Sequence, residues 1–325
     1  MKKIKFHLIF CGRNDNYADQ NSRIPSFIDY YSTISSPNFD LELIVVDWNT
    51  DISANVPLFE AFDWSKIKAH SLVYRKEDHE SIDPNNTRQI LDYVGRNRGL
   101  AFSKALNIDA YSVILNQDIF IRKEVFEKIA EQSSEDFRKY FYRADRTDIL
   151  WLNGRYDACL ESYDVIFKHS RLIEYPADLM LGRGGSRLPF FEKVNGDFVE
   201  QKFQSNTFYY RLINFFFSIF LIFRKSRKFY PAVTCAIHGN ASGDFLVLPN
   251  VAIESGRCYP ETAEFYMHTD SYILFQLLRK GLRQRIISTK ECVLHVDHPR
   301  KERHENRSYS WHLSRFGDIL NGRKL

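Results

Sequence analysis

Three polar residues, Asn116-Gln117-Asp118, follow an apolar stretch at residues 111–115 whose side chains favour a β-strand. A carboxylate at the end of a buried strand lies at the carboxyl edge of its sheet, where open α/β folds bind their ligands. Asp118 is therefore a candidate ligand of a metal ion or a nucleotide. The alternative is an aspartate that only caps the helix following it.

Two earlier stretches of strand-forming residues end in similar polar groups. Residues 4–10 favour a first strand, and Arg13 and Asp15 follow it. Residues 41–46 favour a second strand, which ends at Asp47. A helical apolar pattern separates the two, and strand, helix, strand at this spacing predicts a right-handed parallel unit. Both strands therefore bring polar groups to one edge, including an arginine that suits a phosphate or a carboxylate.

The next elements lead back to that edge. Residues 70–75 favour a short third strand, and the polar stretch at residues 77–88, which contains a proline, favours a loop. Asn97, Arg98 and Gly99 then form an Asn-x-Gly turn that is expected to open a helix rich in small residues. The free N–H groups of a helix start favour a bound anion, so this turn is a candidate phosphate contact.

This order of parts resembles the nucleotide-sugar half of the family 2 glycosyltransferases, which have the GT-A fold. The resemblance implies an α/β fold of the Rossmann-like, nucleotide-diphospho-sugar transferase type, with a mixed, mainly parallel sheet flanked by helices. It also implies a donor site. The residues that it assigns to donor binding are Arg13, Asp15, Asp47, Asn97, Arg98, Asn116 and Gln117.

The same resemblance puts residues 116–118 at the position of the Asp-x-Asp motif, which binds Mn²⁺ or Mg²⁺ in the family. In this chain the first aspartate is replaced by Asn116, a neutral and weaker ligand for a hard cation, so the metal assignment rests mainly on Asp118. Two histidines near the end of the second half of the chain, His295 and His298, are candidates to complete the site, because many relatives use a late histidine there. The alternative is a pair of histidines satisfied within the core.

The second half of the chain contains a candidate catalytic base. Family 2 enzymes carry a Glu-Asp pair at the start of a helix that ends in glycine, and the aspartate deprotonates the acceptor. Asp270 stands 11 residues before Gly281, as in the family, although Thr269 replaces the glutamate. An acidic residue in a first helical turn is otherwise an ordinary partner of the helix dipole. The residues assigned to acceptor binding are Gly243, Asp244 and Glu261.

Composition limits the alternatives. The 325 residues are 44% hydrophobic, which excludes a disordered chain, and a net charge of +4 gives no support to nucleic-acid binding. Five scattered cysteines favour reduced thiols in a cytoplasmic protein over a disulfide framework or a zinc site. The chain has a basic start, but Lys5 and His7 interrupt the apolar core that a signal peptide would need after it, so a strand is expected there instead.

An apolar run at residues 212–223 is flanked by basic residues. Twelve helical residues extend about 18 Å, whereas a hydrocarbon core is about 30 Å thick, so the run is too short to cross a bilayer alone. It favours either an element in the membrane interface, within residues 208–228, or a buried core helix. The first alternative predicts a cytoplasmic protein held peripherally on the inner face of the cell membrane.

Taken together, the residues and the resemblance predict a GT-A domain over residues 1–298 and a basic extension over residues 299–325. Its nucleotide-sugar half spans residues 1–120, and its acceptor half spans residues 121–298 with an apolar insertion at about 205–230. The expected activity is inverting transfer of a hexosyl group from a nucleotide-diphosphate sugar to a glycan or lipid-linked acceptor in polysaccharide biosynthesis. The alternatives are a non-catalytic nucleotide-sugar or glycan-binding protein and, less favoured, a nucleotidyltransferase.

Overall fold

The computed structural model describes most of the first 136 residues and shorter stretches beyond them. The described ranges are 3–17, 19–136, 139–144, 146–151, 170–172, 191–193, 198–201, 245–253, 258–261, 269–287 and 292–296.

A nine-stranded sheet forms the centre of the described structure. Its strands are β1 (Ile4–Gly12), β2 (Phe39–Trp48), β3 (Ala69–Tyr74), β4 (Tyr111–Ile114), β6 (Tyr140–Ala144), β9 (Phe191–Lys193), β10 (Phe198–Gln201), β11 (Leu246–Pro249) and β12 (Arg283–Ile287). Their spatial order is β3-β2-β1-β4-β11-β6-β12-β10-β9. Seven of these nine run in one direction, and β10 and β11 oppose them. The predicted mixed, mainly parallel sheet is confirmed.

The strand order reverses beside β1. The chain builds outward from β1 to β2 and β3 and then returns to the opposite side of β1 with β4. Such a reversal opens a crevice at the carboxyl ends of the two central strands, because the connections on either side lead away from each other. The polar residues after β1 and β4 therefore flank the crevice.

Six α-helices lie in the described part of the chain. They are α1 (Gln20–Thr33), α2 (Leu58–Ala61), α3 (Lys76–Glu80), α4 (Asp92–Leu106), α5 (Lys123–Asp136) and α6 (Thr269–Arg279). None of these helices has the length and apolar character that crossing a membrane requires.

Two of these helices differ from the sequence-based expectations. Helix α3 covers the first four residues of the predicted loop at residues 77–88. Helix α4 begins at Asp92, so Asn97 and Gly99 lie inside it and do not form its opening turn. The helix starts earlier because Tyr93 and Val94 are buried in its first turn against the sheet. The backbone N–H groups at Asn97 are consequently not the free groups of a helix start.

Helix α4 packs against β1 with unusually close contact at two glycines. A Cβ atom added to Gly95 would lie 2.2 Å from the Cys11 sulfur, and one added to Gly99 would lie 2.4 Å from a methyl carbon of Ile9. Residues four apart lie on one face of a helix, so both glycines face the sheet. This contact fixes the depth at which α4 carries Asn97 and Arg98.

The two faces of the sheet bury separate apolar clusters. One contains residues of α1 and α5, including Phe27 and Phe126. The other contains residues of α4 and α6, including Leu100 and Tyr272. The crevice edge is therefore lined by helices from both layers: α1 from one face of the sheet and α4 from the other.

A second sheet brings the far end of the chain to this edge. Its strands, in spatial order, are β5 (Ile119–Ile121), β13 (Val293–Val296), β7 (Arg146–Trp151) and β8 (Ser170–Leu172). Strand β13 runs antiparallel to β5, and the Val296 N–H donates to the Asp118 carbonyl at 3.0 Å. The pairing of His295 with Ile119 places this histidine next to the polar triplet.

Candidate functional site

The polar triplet 116–118 forms a tight turn after β4, closed by a hydrogen bond from the Ile119 N–H to the Asn116 carbonyl at 3.2 Å. The side chains of the triplet are held by different helices. Arg96 of α4 donates to Asn116 Oδ1 at 2.8 Å, and Gln20 of α1 donates to Gln117 Oε1 at 3.1 Å. The triplet is thus fixed from both layers of the fold.

Asp118 forms a buried ion pair with Arg23 of α1. Arg23 Nη1 donates to Asp118 Oδ2 at 2.9 Å, and the two side chains are 2% and 4% exposed. The second terminal nitrogen of Arg23 donates to the Tyr17 carbonyl at 2.8 Å. One guanidinium therefore ties the loop after β1 to the end of β4 and balances the carboxylate charge where water is excluded.

His295 completes this group from the other sheet. Its Nε2 atom lies 3.8 Å from Asp118 Oδ2, and its side chain is 4% exposed. The predicted meeting of His295 with Asp118 is thus seen in the structure, although the two residues are remote in sequence. His298, the other predicted histidine, lies outside the described residues.

The donor atoms at Asp118 and His295 fit the chemistry of a divalent metal. Carboxylate oxygen and imidazole nitrogen are ligands for Mn²⁺, and ions bound beside phosphates take only one or two protein carboxylates, the remaining ligands being phosphate and water. Across the part of the chain that the structure describes, there is no cluster of three or more His, Cys, Asp or Glu side chains arranged to hold a metal. Asp118 and His295 would supply one carboxylate and one imidazole, which leaves the other coordination positions to phosphate and water.

The loop after β1 carries the predicted donor residues Arg13 and Asp15. Arg13 Nε lies 3.5 Å from Asp15 Oδ2, and Arg13 Nη1 donates to the Gln89 carbonyl at 3.0 Å. Asn49, which follows β2, donates to the same carbonyl at 3.1 Å. The polar ends of β1 and β2 therefore meet around Gln89, as the parallel unit predicts.

Asp47, at the end of β2, is fully buried and engaged locally. Its Oδ1 accepts from the Thr50 hydroxyl at 2.5 Å, and its Oδ2 accepts from the Leu58 N–H at 2.6 Å. Burial raises the pKa of Asp47 above its ordinary value, although these hydrogen bonds oppose the shift. In this structure Asp47 fixes the loop between β2 and α2.

Asn97 joins α4 to the second half of the chain. Its Oδ1 accepts from the N–H groups of Cys258 and Tyr259 at 2.8 and 2.9 Å. Its Nδ2 donates to the Tyr259 carbonyl at 2.9 Å and to Glu261 Oε1 at 3.1 Å. The amide is completely buried and points at the segment 258–261. The structure thus gives Asn97 a role in holding this segment.

Arg98 is engaged by the same segment. Its Nη1 donates to Glu261 Oε1 at 2.9 Å, and its Nη2 lies 3.4 Å from Glu261 Oε2. The two side chains are 32% and 16% exposed, so the pair lies at the edge of the crevice and not in the core. Arg98, which was predicted to bind the sugar donor, is therefore in direct contact with Glu261, which was predicted to bind the sugar acceptor.

The backbone of Asp270 lies in the first turn of α6, as predicted from the spacing to Gly281. The apolar cluster that contains residues of α4 and α6 includes Tyr259 together with Tyr272 and Ile273 of α6. Through Tyr259, the segment bound by Asn97 is therefore packed together with the helix that carries Asp270.

Several predicted features lie outside the described residues. They are Gly243, Asp244, His298, the apolar insertion at about 205–230 and the extension at 299–325.

The structure adds three site residues that the sequence-based reasoning missed: Gln20, Arg23 and Arg96. Arg23 had a recognisable signal, because it lies four residues before Phe27 and therefore on the apolar face of α1. A cation on an apolar face implies a buried partner. The other two residues form ordinary polar contacts, which sequence patterns do not distinguish from surface positions.

The nine-stranded sheet, its reversal beside β1 and the polar strand ends define the GT-A fold of nucleotide-diphospho-sugar transferases. A comparison with solved structures agrees with this assignment of the fold. Residues 1–349 of S. aureus TarS, in complex with UDP-GlcNAc, align with a TM-score of 0.50 and 12% identity over 98% of this chain. The chain spans 66% of that TarS chain.

A mannosyltransferase, PcManGT from Pyrobaculum calidifontis in complex with GDP-Man and Mn²⁺, aligns with a TM-score of 0.44 and 11% identity, covering 97% of this chain and 61% of that one. No protein-family model matches the sequence. No curated protein sequence matches it either.

Proposed function

We propose that this protein is an inverting glycosyltransferase that moves a hexosyl group from a nucleotide-diphosphate sugar to an acceptor hydroxyl. The observation that carries the proposal is the meeting of Asp118, at the end of β4, with His295, which arrives from the second sheet 3.8 Å away. On a GT-A fold this is the edge at which a diphosphate binds. The likeness to the TarS structure, which holds UDP-GlcNAc, makes UDP-GlcNAc the first donor to test.

The proposed reaction is a single displacement at the anomeric carbon. The Asp270 carboxylate takes the proton of the acceptor hydroxyl, whose oxygen bonds to the anomeric carbon as the bond from that carbon to the diphosphate oxygen breaks. A positioned carboxylate base contributes about 10² to 10⁴ in rate. Arg13 or Arg98 would supply positive charge near the departing diphosphate.

Asp118 and His295 are the described residues that would hold a divalent metal ion in this proposal. Such an ion, when bound, neutralises charge on the leaving diphosphate. The buried position of both side chains orients them before the donor arrives, and the Val296 to Asp118 backbone hydrogen bond keeps the two strands together.

The first experiment is a thermal-shift screen of nucleotide sugars with and without Mn²⁺, followed by assays of donor hydrolysis and of transfer to glycan acceptors. A ligand at 100 times its Kd stabilises the native state by about 2.7 kcal/mol, so a correct donor should raise the Tm measurably. Asp270→Asn should keep the Tm shift and lose turnover. A wild type that binds the donor without any turnover would instead support the non-catalytic binding protein.

The acceptor side of the proposal includes the membrane. Residues 212–223 and their basic flanks suit an element lying in the interface, where each basic residue gains about 1 kcal/mol from anionic lipid. A glycan or lipid-linked acceptor on the inner face of the cell membrane would be reached from there. Deleting 212–223 should release the protein from membranes in a fractionation assay, and unchanged partitioning would reject this part of the proposal.

A further inference from the structure

The Asp118 carboxylate already has a cation beside it. Arg23 Nη1 lies 2.9 Å from Asp118 Oδ2, and His295 Nε2 lies 3.8 Å from the same oxygen. The guanidinium therefore binds the same carboxylate oxygen that lies nearest to His295, which is the oxygen that a metal ion shared by Asp118 and His295 would use.

A divalent ion and the Arg23 guanidinium cannot both be close to this oxygen without strong repulsion, because the site is buried and the effective dielectric constant is low. Both side chains of the ion pair are almost completely shielded from water. Solvent consequently does little to screen one cation from the other. An ion binding to Asp118 must displace Arg23 or pull the carboxylate away from it.

Arg23 is also held on its other side. Its Nη2 donates to the Tyr17 carbonyl at 2.8 Å, in the loop between β1 and α1. A guanidinium presents its donors in a rigid planar fork, so the two contacts support each other. Displacement of Arg23 from Asp118 would therefore also loosen this loop.

We infer that Arg23 is a built-in competitor of the divalent metal ion for the Asp118 carboxylate, and that it keeps the metal affinity of the nucleotide-free protein low. The inference deepens the proposed function, since it concerns the same site, but it can be tested in the absence of any sugar nucleotide. A metal ion would then bind well only when a diphosphate adds its own negative charge and oxygen ligands. Arg23 in this way links metal loading to donor loading.

The test is a titration of the full-length protein with Mn²⁺ alone, following free Mn²⁺ by electron paramagnetic resonance. Arg23→Met, which removes the charge and keeps an apolar stem, should bind Mn²⁺ at least about tenfold more tightly than wild type, since changes to groups around metal ligands alter affinity by about 10- to 100-fold. Arg75→Met, the same change at an exposed arginine, should leave the wild-type affinity unchanged.

A second variant separates the site from non-specific binding. Adding Asp118→Asn to Arg23→Met should abolish the gained affinity, because the carboxylate is the ligand that Arg23 releases. If Arg23→Met does not fold, Arg23→Gln carries the same test, since it keeps a hydrogen-bond donor without the charge. Unchanged or weaker Mn²⁺ binding in the folded Arg23 variant would overturn the inference.

The wild type gives an independent check that requires no folded Arg23 variant. Without nucleotide it should bind Mn²⁺ no better than Asp118→Asn does. Tight Mn²⁺ binding by the wild type that Asp118→Asn abolishes would overturn the inference even if the proposed transferase activity were established. Conversely, failure to find any donor or turnover would reject the proposed function and leave this competition intact.

Discussion

The carboxamide of Asn97 bonds to both backbone groups of Tyr259: Oδ1 accepts from its N–H and Nδ2 donates to its carbonyl, each at 2.9 Å. One buried side chain thereby satisfies both backbone hydrogen-bonding groups of Tyr259, as a paired strand would. The contact joins residues 162 positions apart and connects the β1–β4 half of the fold to the segment leading toward α6.

Replacing Asn97 with alanine should therefore destabilise the protein. The N–H groups of Cys258 and Tyr259 would lose their acceptor, and leaving buried polar groups unsatisfied costs about 1–3 kcal/mol. The free energy of unfolding from urea denaturation should therefore fall by about 1–3 kcal/mol or more. Asn38→Ala, at an exposed position, is the control and should change it by less than about 0.5 kcal/mol. Equal effects of the two changes would contradict the role of Asn97.

Gly95→Ala should disturb the contact between α4 and β1. The new methyl group would lie 2.2 Å from the Cys11 sulfur, so the Cys11 side chain, the helix or the strand must move. Overpacking of this kind costs about 1–3 kcal/mol, measurable as a lower urea midpoint. Adding Cys11→Ala removes that sulfur and should restore part of the loss. A single Gly95→Ala variant as stable as wild type would show that α4 does not pack this closely.

The pH dependence of the free energy of unfolding should reveal the lowered pKa of His7. Burial lowers the pKa of His7 to about 4, against the opposing effect of Glu42, and its Nδ1 lies 2.7 Å from the Ser103 hydroxyl. Because the folded pKa is below the unfolded value, the unfolded chain takes up the proton first. The stabilising contribution is complete above about pH 6.5 and is lost as the pH falls toward 4.

His7→Gln removes this titration. Between about pH 7 and pH 4.5 the wild type should lose about 2–3 kcal/mol more of its free energy of unfolding than the variant does. Between about pH 7 and pH 8.5 the two proteins should change in parallel, which serves as the internal control. An equal loss on acidification would mean that His7 is protonated within the folded protein.

The stereochemistry of the product tests the proposed displacement. A single attack on the anomeric carbon inverts its configuration, so an α-linked donor should give a β-linked product, as read from the anomeric proton coupling in nuclear magnetic resonance. Asp270→Asn should lower the rate by about 10² to 10⁴ with donor binding unchanged. Retention of configuration would remove Asp270 from its role as the base.

The sequence was sufficient to predict the elements that obey simple periodicity. Strands β1, β2 and β4, and helix α6 with its end near Gly281, follow from alternating or continuous apolar runs and from turn residues. The presence of helix α4 was also predictable, but the residue at which it begins was not. Asn97 and Gly99 resemble turn residues, whereas burial of Tyr93 and Val94 extends the helix upstream.

Side-chain partners were predictable only where the family resemblance supplied them. The resemblance to family 2 glycosyltransferases, which use a late histidine, is what placed His295 near Asp118; the pairing of β13 with β5 that brings it there is not encoded in any local pattern. The partners Asn97–Tyr259 and Arg98–Glu261 depend on how segments remote in sequence approach each other, and no local pattern encodes that approach. The ion pair of Arg23 lay between these cases, since an arginine on an apolar helix face signals a partner without identifying it.

The position of β11 between β4 and β6 has a consequence for biosynthesis. Strand β4 pairs with β1 early, but its other edge receives β11 only from residues 246–249. Ribosomes add roughly 5–20 residues per second, so this apolar edge stays open for about 7 to 27 s after β4 emerges. A nascent chain with an unpaired strand edge is a target for chaperones and for aggregation, and slower translation downstream of β4 should therefore lower the soluble yield of this protein.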